Sequence, residues 1–371
     1  MRRHSAARIA LAAALSLVVL TSGCAASGVP APSSSTSSTT SASSTPPTES
    51  ATEAPALSVP DPRTITGPST AAQVDEITPV GATPTPVLPV TLTGEDGVSV
   101  EITDVSRLLA LDLYGTLVET VIGLGLVDNL VGRSISNSET AIADLPVVTQ
   151  NGHELNAEAI LSLQPTFVIM DTTMGPPETP QQLRDSGVPV LLVSSERGID
   201  LITEQIEMVA SALGVVEQGA LLVERFEREL EVANEYVAAV TEGFDPVRMA
   251  FVYVRGTGSV FFVMGKGSGG DDLIAAIGGE DAATSAGMND IVPASAETLL
   301  VMNPEVLLTM TGGLESTGGL EGFLKRPGVS DTTAGQNQRV VDMSDGQVLS
   351  FGPSYPAVLI ALTDAVYQPT S

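Results

Sequence analysis

From about residue 87 onward, apolar and polar positions follow two alternating rhythms, and the chain switches between them repeatedly. Residues 87–92 and 98–102 alternate with period two on either side of Glu95-Asp96-Gly97, which predicts a hairpin. Short unbroken apolar runs follow at 108–113, 129–131, 167–171 and 190–194, as a strand buried on both faces requires. Helix-like pieces lie between them near 116–124, 157–163 and 180–186. The second half repeats the habit, with strands at 248–254, 260–264, 306–310 and 339–342 and helices near 271–277, 296–302 and 356–367. Strands alternating with helices predict an α/β fold of two βα lobes, each with a mainly parallel central sheet.

One internal match supports two equivalent lobes. "NAEAILSLQPTFVIM" (156–170) aligns with "SAETLLVMNPEVLLT" (295–309) at a constant offset of 139, with Ala157/Ala296, Glu158/Glu297, Leu161/Leu300 and Pro165/Pro304 identical. Each copy reads as a short helix, a proline stop and a buried strand. Between the halves, Val223, Phe226, Leu230, Ala233, Val237 and Val240 recur at helical spacing, while Glu224, Arg225, Glu227, Arg228 and Glu231 form the opposite face. A helix over 216–241 would be about 40 Å long, a stiff spine between lobes rather than a loop hinge. The expected organisation is therefore 87–202 as the N-terminal lobe, 203–242 as linker helices including the spine, and 243–371 as the C-terminal lobe.

The start of the chain behaves as an export signal. Arg2, Arg3 and Arg8 precede an apolar run over 9–20 that is too short for a permanent membrane span. It ends in Thr-Ser-Gly-Cys24, which resembles a bacterial lipoprotein signal, with Cys24 as the lipidated new N-terminus of a chain that owns no other cysteine. Residues 1–23 are the expected signal peptide. The lipid on Cys24 would hold the protein at the extracytoplasmic face of the cell membrane without crossing it. Residues 24–86 begin as an almost pure Ser/Thr/Ala/Pro tract, read as a disordered tether whose reach is on the order of 40 Å.

The whole chain carries 16 basic and 44 acidic residues, a net charge of −28. Nucleic acid and anionic lipid headgroups are poor partners for such a surface. An enzyme is not expected either: without His4 in the signal segment, one imidazole remains, too few for an acid–base pair or a histidine-rich metal cluster.

"VETVIGLGLVDNLVG" (118–132) is similar to the first helix and second strand of the helical-backbone class of substrate-binding proteins, periplasmic-binding-protein-like receptors that serve ABC importers. "MGPPETPQQLRDSGVPVLLV" (174–193), "GGLEGFLKRPGV" (318–329) and "RVVDMSDGQVLSFGP" (339–353) resemble the haem-binding branch of that class. The resemblance implies ligand gripped between two lobes, with ferric haem as cargo and an ABC permease as partner. It also implies that Glu158 and Glu297 meet arginines of that permease. A ferric siderophore or a corrinoid is the alternative cargo within the class, and haem could arrive free or from other cell-surface haem-binding proteins.

Within that frame, His153 follows the strand-like residues 147–148 and precedes the helix near 157, at the strand edge where ligands of open α/β sheets bind. Opposite it, "FVYVRGTG" (251–258) places Tyr253 and Arg255 on one strand face, about 7 Å apart. Imidazole and tyrosinate are both known haem ligands. Arg255 would favour the ionised form of Tyr253, and His153 would coordinate from the other lobe. The tyrosine of an Asp-x-Thr-Ser-x-Tyr-Pro-like segment in Gram-negative haem binders is replaced here by Arg133-Ser134-Ile135-Ser136-Asn137, and His153 is its natural substitute. Tyr114 is either a pocket wall or itself the ligand. Met170, Met174, Met264, Met288 and Met310 lie near strand ends as lining or core. Arg133, Arg197 and Lys266 are available for the propionates.

Overall fold

The computed structural model describes residues 59–258 and 260–369; the signal peptide and Cys24 lie outside them. The longest helix, Val216–Thr241, buries Gly219, Leu222, Phe226, Ala233, Val237 and Val240; the last four belong to the stripe that the spacing predicts, whose Val223 and Leu230 are only half-buried. Against it pack the preceding helix Ile202–Ala212 and the C-terminal helix Tyr355–Tyr367. The turn between the first two needs Gly214, whose φ is 69° and where a Cβ would lie 2.6 Å from the Val87 carbonyl oxygen.

The first sheet is parallel, in the order Leu108–Leu111, Phe167–Met170, Val190–Leu192, and every residue of it is buried. This explains its unbroken apolar runs: both faces are covered. The second sheet has seven strands. Its path runs Ser69–Thr70, Val340–Met343, Val306–Met310, Arg248–Arg255, Val260–Met264 and Ile291–Pro293, with Glu280–Asp281 also pairing with the Arg248–Arg255 strand. The first four are parallel and the last two antiparallel. The fold is thus α/β with mainly parallel central sheets and one long connecting helix.

The internal match has a local cause. Asn156 and Ser295 occupy equivalent positions and cap the helices Ala157–Ser162 and Ala296–Met302, accepting from Ala159 N at 3.0 Å and Thr298 N at 3.1 Å. Each helix then delivers its chain into a central strand.

Two expectations change. Residues 129–131 form no strand: a single 3-10 turn, Val127–Asn129, is followed by one isolated bridge from Leu130 to Leu108. More important, residues 59–86 are not part of a disordered tether. Ser69–Thr70 adds a parallel strand to the second sheet. Arg63 pairs with Glu305 at 2.9 Å and donates to the carbonyls of Asp245 and Pro246. The main chain of Val74 is bonded in both directions to the Gln347 amide, and Glu76 accepts from Thr140. Low hydrophobicity hid this segment: Ala71 and Val74 are buried in the main core and Val59, Ile77 and Val80 pack against it, but polar, Pro and Gly residues separate them, so no apolar run of strand length marks the attachment.

Candidate functional site

Strand ends from both sheets converge on a cleft of about 1090 Å³. His153, Tyr114, Tyr253 and Arg255 all line it, although His153 and Tyr253 are 100 positions apart in the chain.

His153 owes its place to a tight hairpin. Thr149–Gln150 pairs with Glu154–Leu155, and Asn151 and Gly152 take left-handed φ values of 48° and 94° to close the loop. His153 is the loop's third residue, pushed out over the cleft. Its Nδ1 lies 3.3 Å from Ser136 Oγ; in the tautomer whose Nδ1–H donates to that hydroxyl, the Nε2 lone pair is left free. Burial, and then the charge of Arg255, hold its pKa below the ordinary 6.5. The imidazole is therefore neutral at pH 7, the form that can coordinate.

Tyr253 and Arg255 sit on the edge-ward end of the strand Arg248–Arg255, on the same face, as alternation predicts. The Arg255 guanidinium lies over the Tyr253 ring, 5.2 Å from its centroid, rather than end-on to the phenol oxygen. Its charge is shared with Asp345, whose Oδ2 is 2.5 Å away.

Tyr114 has a matching arrangement. Arg197 lies over its ring at 5.3 Å and pairs with Asp171 at 2.6 Å and Asp112 at 3.6 Å. Both carboxylates are fully buried. Burial, reinforced by Asp171, raises Asp112 to about 6 in spite of Arg197 and two backbone donors. Burial also raises the Tyr114 phenol above its ordinary 10.

The remaining walls are mostly apolar: Leu113, Ile135, Phe262, Met264, Ile291, Met310 and Leu349. Met170 and Met174 instead lie in the core, and Met288 packs against a second cluster. None of Arg133, Arg197 and Lys266 lines the cleft. Arg133 bonds to the Asn137 carbonyl, and Arg197 is absorbed by its two aspartates. Sequence reading missed Thr70, Ala71 and Gln73, which line the cleft from the segment expected to be tether. It also missed Ser136 and Asp345, polar residues in loops that carry no periodic signal. Glu158 and Glu297 are exposed, each in the first turn of its capped helix. Among the described residues no group of three or more His, Cys, Asp or Glu could hold a bare metal ion, and no helix is long and apolar enough to cross a membrane.

Known proteins resemble this chain. The profile of the periplasmic binding protein family matches residues 113–345. The solved heme binding protein HmuT is 48% identical, with 83% of this chain and 100% of that chain covered, at a TM-score of 0.81. Variants of that protein with a histidine, a tyrosine or an arginine replaced by alanine match at the same TM-score, and the tyrosine and arginine concerned are two positions apart. The periplasmic heme-binding protein RhuT from Roseiflexus sp. RS-1, in apo form, is 36% identical over 72% of this chain and 99% of that one, with a TM-score of 0.64. The periplasmic heme-binding protein BhuT, in complex with two hemes, is 31% identical over 70% of this chain and 97% of that one, with a TM-score of 0.62. No curated protein matches the chain.

Proposed function

Because the chain belongs to the periplasmic binding protein family, we propose that it captures ferric haem in the cleft and delivers it to the permease of an ABC-type importer. One observation carries this reading: a neutral imidazole and a phenol beside a guanidinium, from sequence-distant elements, line a single cleft with apolar walls. The cleft is at the large end of small-molecule sites, as a porphyrin requires. Ferric haem presents two axial positions and a broad apolar face, and the donors and walls suit both. His153 and Tyr253 are the proposed iron ligands. Arg255 supports the ionised phenol of Tyr253, and Tyr114 is a wall of the pocket. The occurrence of a Tyr-x-Arg pair and a histidine among the altered positions of HmuT supports the same choice.

The delivery half of the proposal uses Glu158 and Glu297, exposed at equivalent places in the two halves, as contacts for permease arginines. Residues 87–202 and 243–371 would act as the two lobes, joined through 203–242. Lipidation at Cys24 would keep the protein at the extracytoplasmic face. Binding, not catalysis, is the proposed role.

Titration of the purified protein with hemin tests the cargo. Near-stoichiometric binding with a ferric spectrum is expected; no binding would transfer the assignment to a ferric siderophore or corrinoid. Charge reversal at both Glu158 and Glu297 should abolish uptake through the matching permease with hemin affinity intact. A fall in hemin affinity would place these residues at the cleft and sink the docking role.

A further inference from the structure

We propose that Asp345 is a positioning residue of the haem site, one that seats the Arg255 guanidinium against the Tyr253 ring and, by neutralising part of its charge, keeps bound haem releasable. This rests on the haem reading above. The seat is built from three sides. Asp345 Oδ2 is 2.5 Å from Arg255 Nη2, while Asp345 Oδ1 accepts the backbone N–H of Gly312 at 2.8 Å. Met310 Sδ lies 3.5 Å from the same guanidinium nitrogen. A Cβ on Gly312 would lie 2.9 Å from the carboxylate, and one on Gly313 would lie 2.8 Å from the Val254 carbonyl oxygen and 3.0 Å from Arg255 Nη1. Two successive glycines thus make room for the ion pair.

Stability does not explain this construction. The side chains of Arg255 and Asp345 are 33% and 36% exposed, and ion pairs so open to water contribute little to folding. Both residues line the cleft, however, directly beside the phenol. The Arg255 guanidinium, 5.2 Å from the Tyr253 ring centroid, sets a positive charge beside the phenol that would attract an anionic iron ligand there. A carboxylate on its far side opposes that effect. The pair therefore sets a nearly balanced charge beside the ligand, which suits a protein that must give its cargo away.

Asp345→Asn keeps an acceptor for the Gly312 N–H and removes the charge. In the full chain loaded with hemin, the phenolate-to-iron absorption band of this variant should persist to a pH roughly one unit lower than in wild type. Transfer of haem to apomyoglobin should slow about tenfold, the equivalent of that shift. In an Arg255→Ala background the same substitution should change neither quantity. Unchanged pH midpoint and transfer rate in Asp345→Asn would overturn the inference. So would an equal shift without Arg255, because Asp345 would then act alone. A wild-type protein that binds hemin without a phenolate band would instead fail the Tyr253 assignment itself, a separate and visible outcome.

Discussion

Two tyrosines line the cleft, each with an arginine over its ring and aspartate paired to that arginine, and the two sets differ in burial. In one set Arg197 lies over Tyr114 with Asp112 and Asp171; its side chain is 7% exposed and both carboxylates are 0%. In the other, Arg255 lies over Tyr253 with Asp345, and a third of each charged side chain faces solvent. The same three residue types therefore serve two purposes. In the dry setting the charges are committed to each other, and the phenol above them is pushed further from ionisation. In the wet setting the charges remain open to solvent. Residue identity does not separate a structural unit from a ligand-handling one; surroundings do.

The largest effect that would sharpen this contrast is on stability. Arg197→Ala strands two buried carboxylates and should cost about 3–5 kcal/mol in denaturant unfolding at pH 7. Arg255→Ala should cost no more than about 1 kcal/mol. Equal losses would erase the distinction between the two sets.

A second test uses pH. Glu119, in the helix Thr116–Gly123 that follows Tyr114, is buried, with its Oε1 accepting from Ser354 N at 2.7 Å. Burial chiefly, with Glu139 and Asp112 adding repulsion, raises it from 4.5 to about 7. Between those values the folded protein holds a proton that the unfolded chain releases. Stability from this group is therefore greatest below pH 4.5, falls as pH rises towards 7, and stays low above it. Glu119→Gln, which keeps an acceptor for Ser354, should raise stability at pH 8 by up to about 3 kcal/mol and change little near pH 4. A gain of equal size at both pH values would contradict the assignment. The smallest effect is expected from Tyr114→Phe: a wall that is never a ligand should leave the ferric haem spectrum unchanged and alter affinity less than tenfold. A lost phenolate band in that variant would exchange the roles of the two tyrosines.

Much of this contrast lies beyond sequence reading. Strand alternation was enough to put Tyr253 and Arg255 on one face, and the apolar spacing of 223–240 marked the buried stripe of the long helix, because both depend on local period. His153 was legible as a loop residue at a strand edge, but not as the tip of an Asn-Gly hairpin held by Ser136. Arg197 read as a free cation because its partners, Asp112 and Asp171, are 85 and 26 positions away and meet it only through the sheet order. The segment 59–86 read as tether for a related reason: Ala71, Val74, Ile77 and Val80 reach the core singly between polar residues, and its other attachments are hydrogen bonds, which leave no hydrophobic signature. Ion pairing and strap-like docking are long-range facts, whereas burial periodicity is a local one.

The decisive measurement is the absorption spectrum of the hemin-loaded protein beside those of His153→Ala and Tyr253→Ala. Each substitution should change the ferric bands, with the phenolate feature absent only when Tyr253 is replaced. Identical spectra in all three proteins would mean that neither side chain holds the iron.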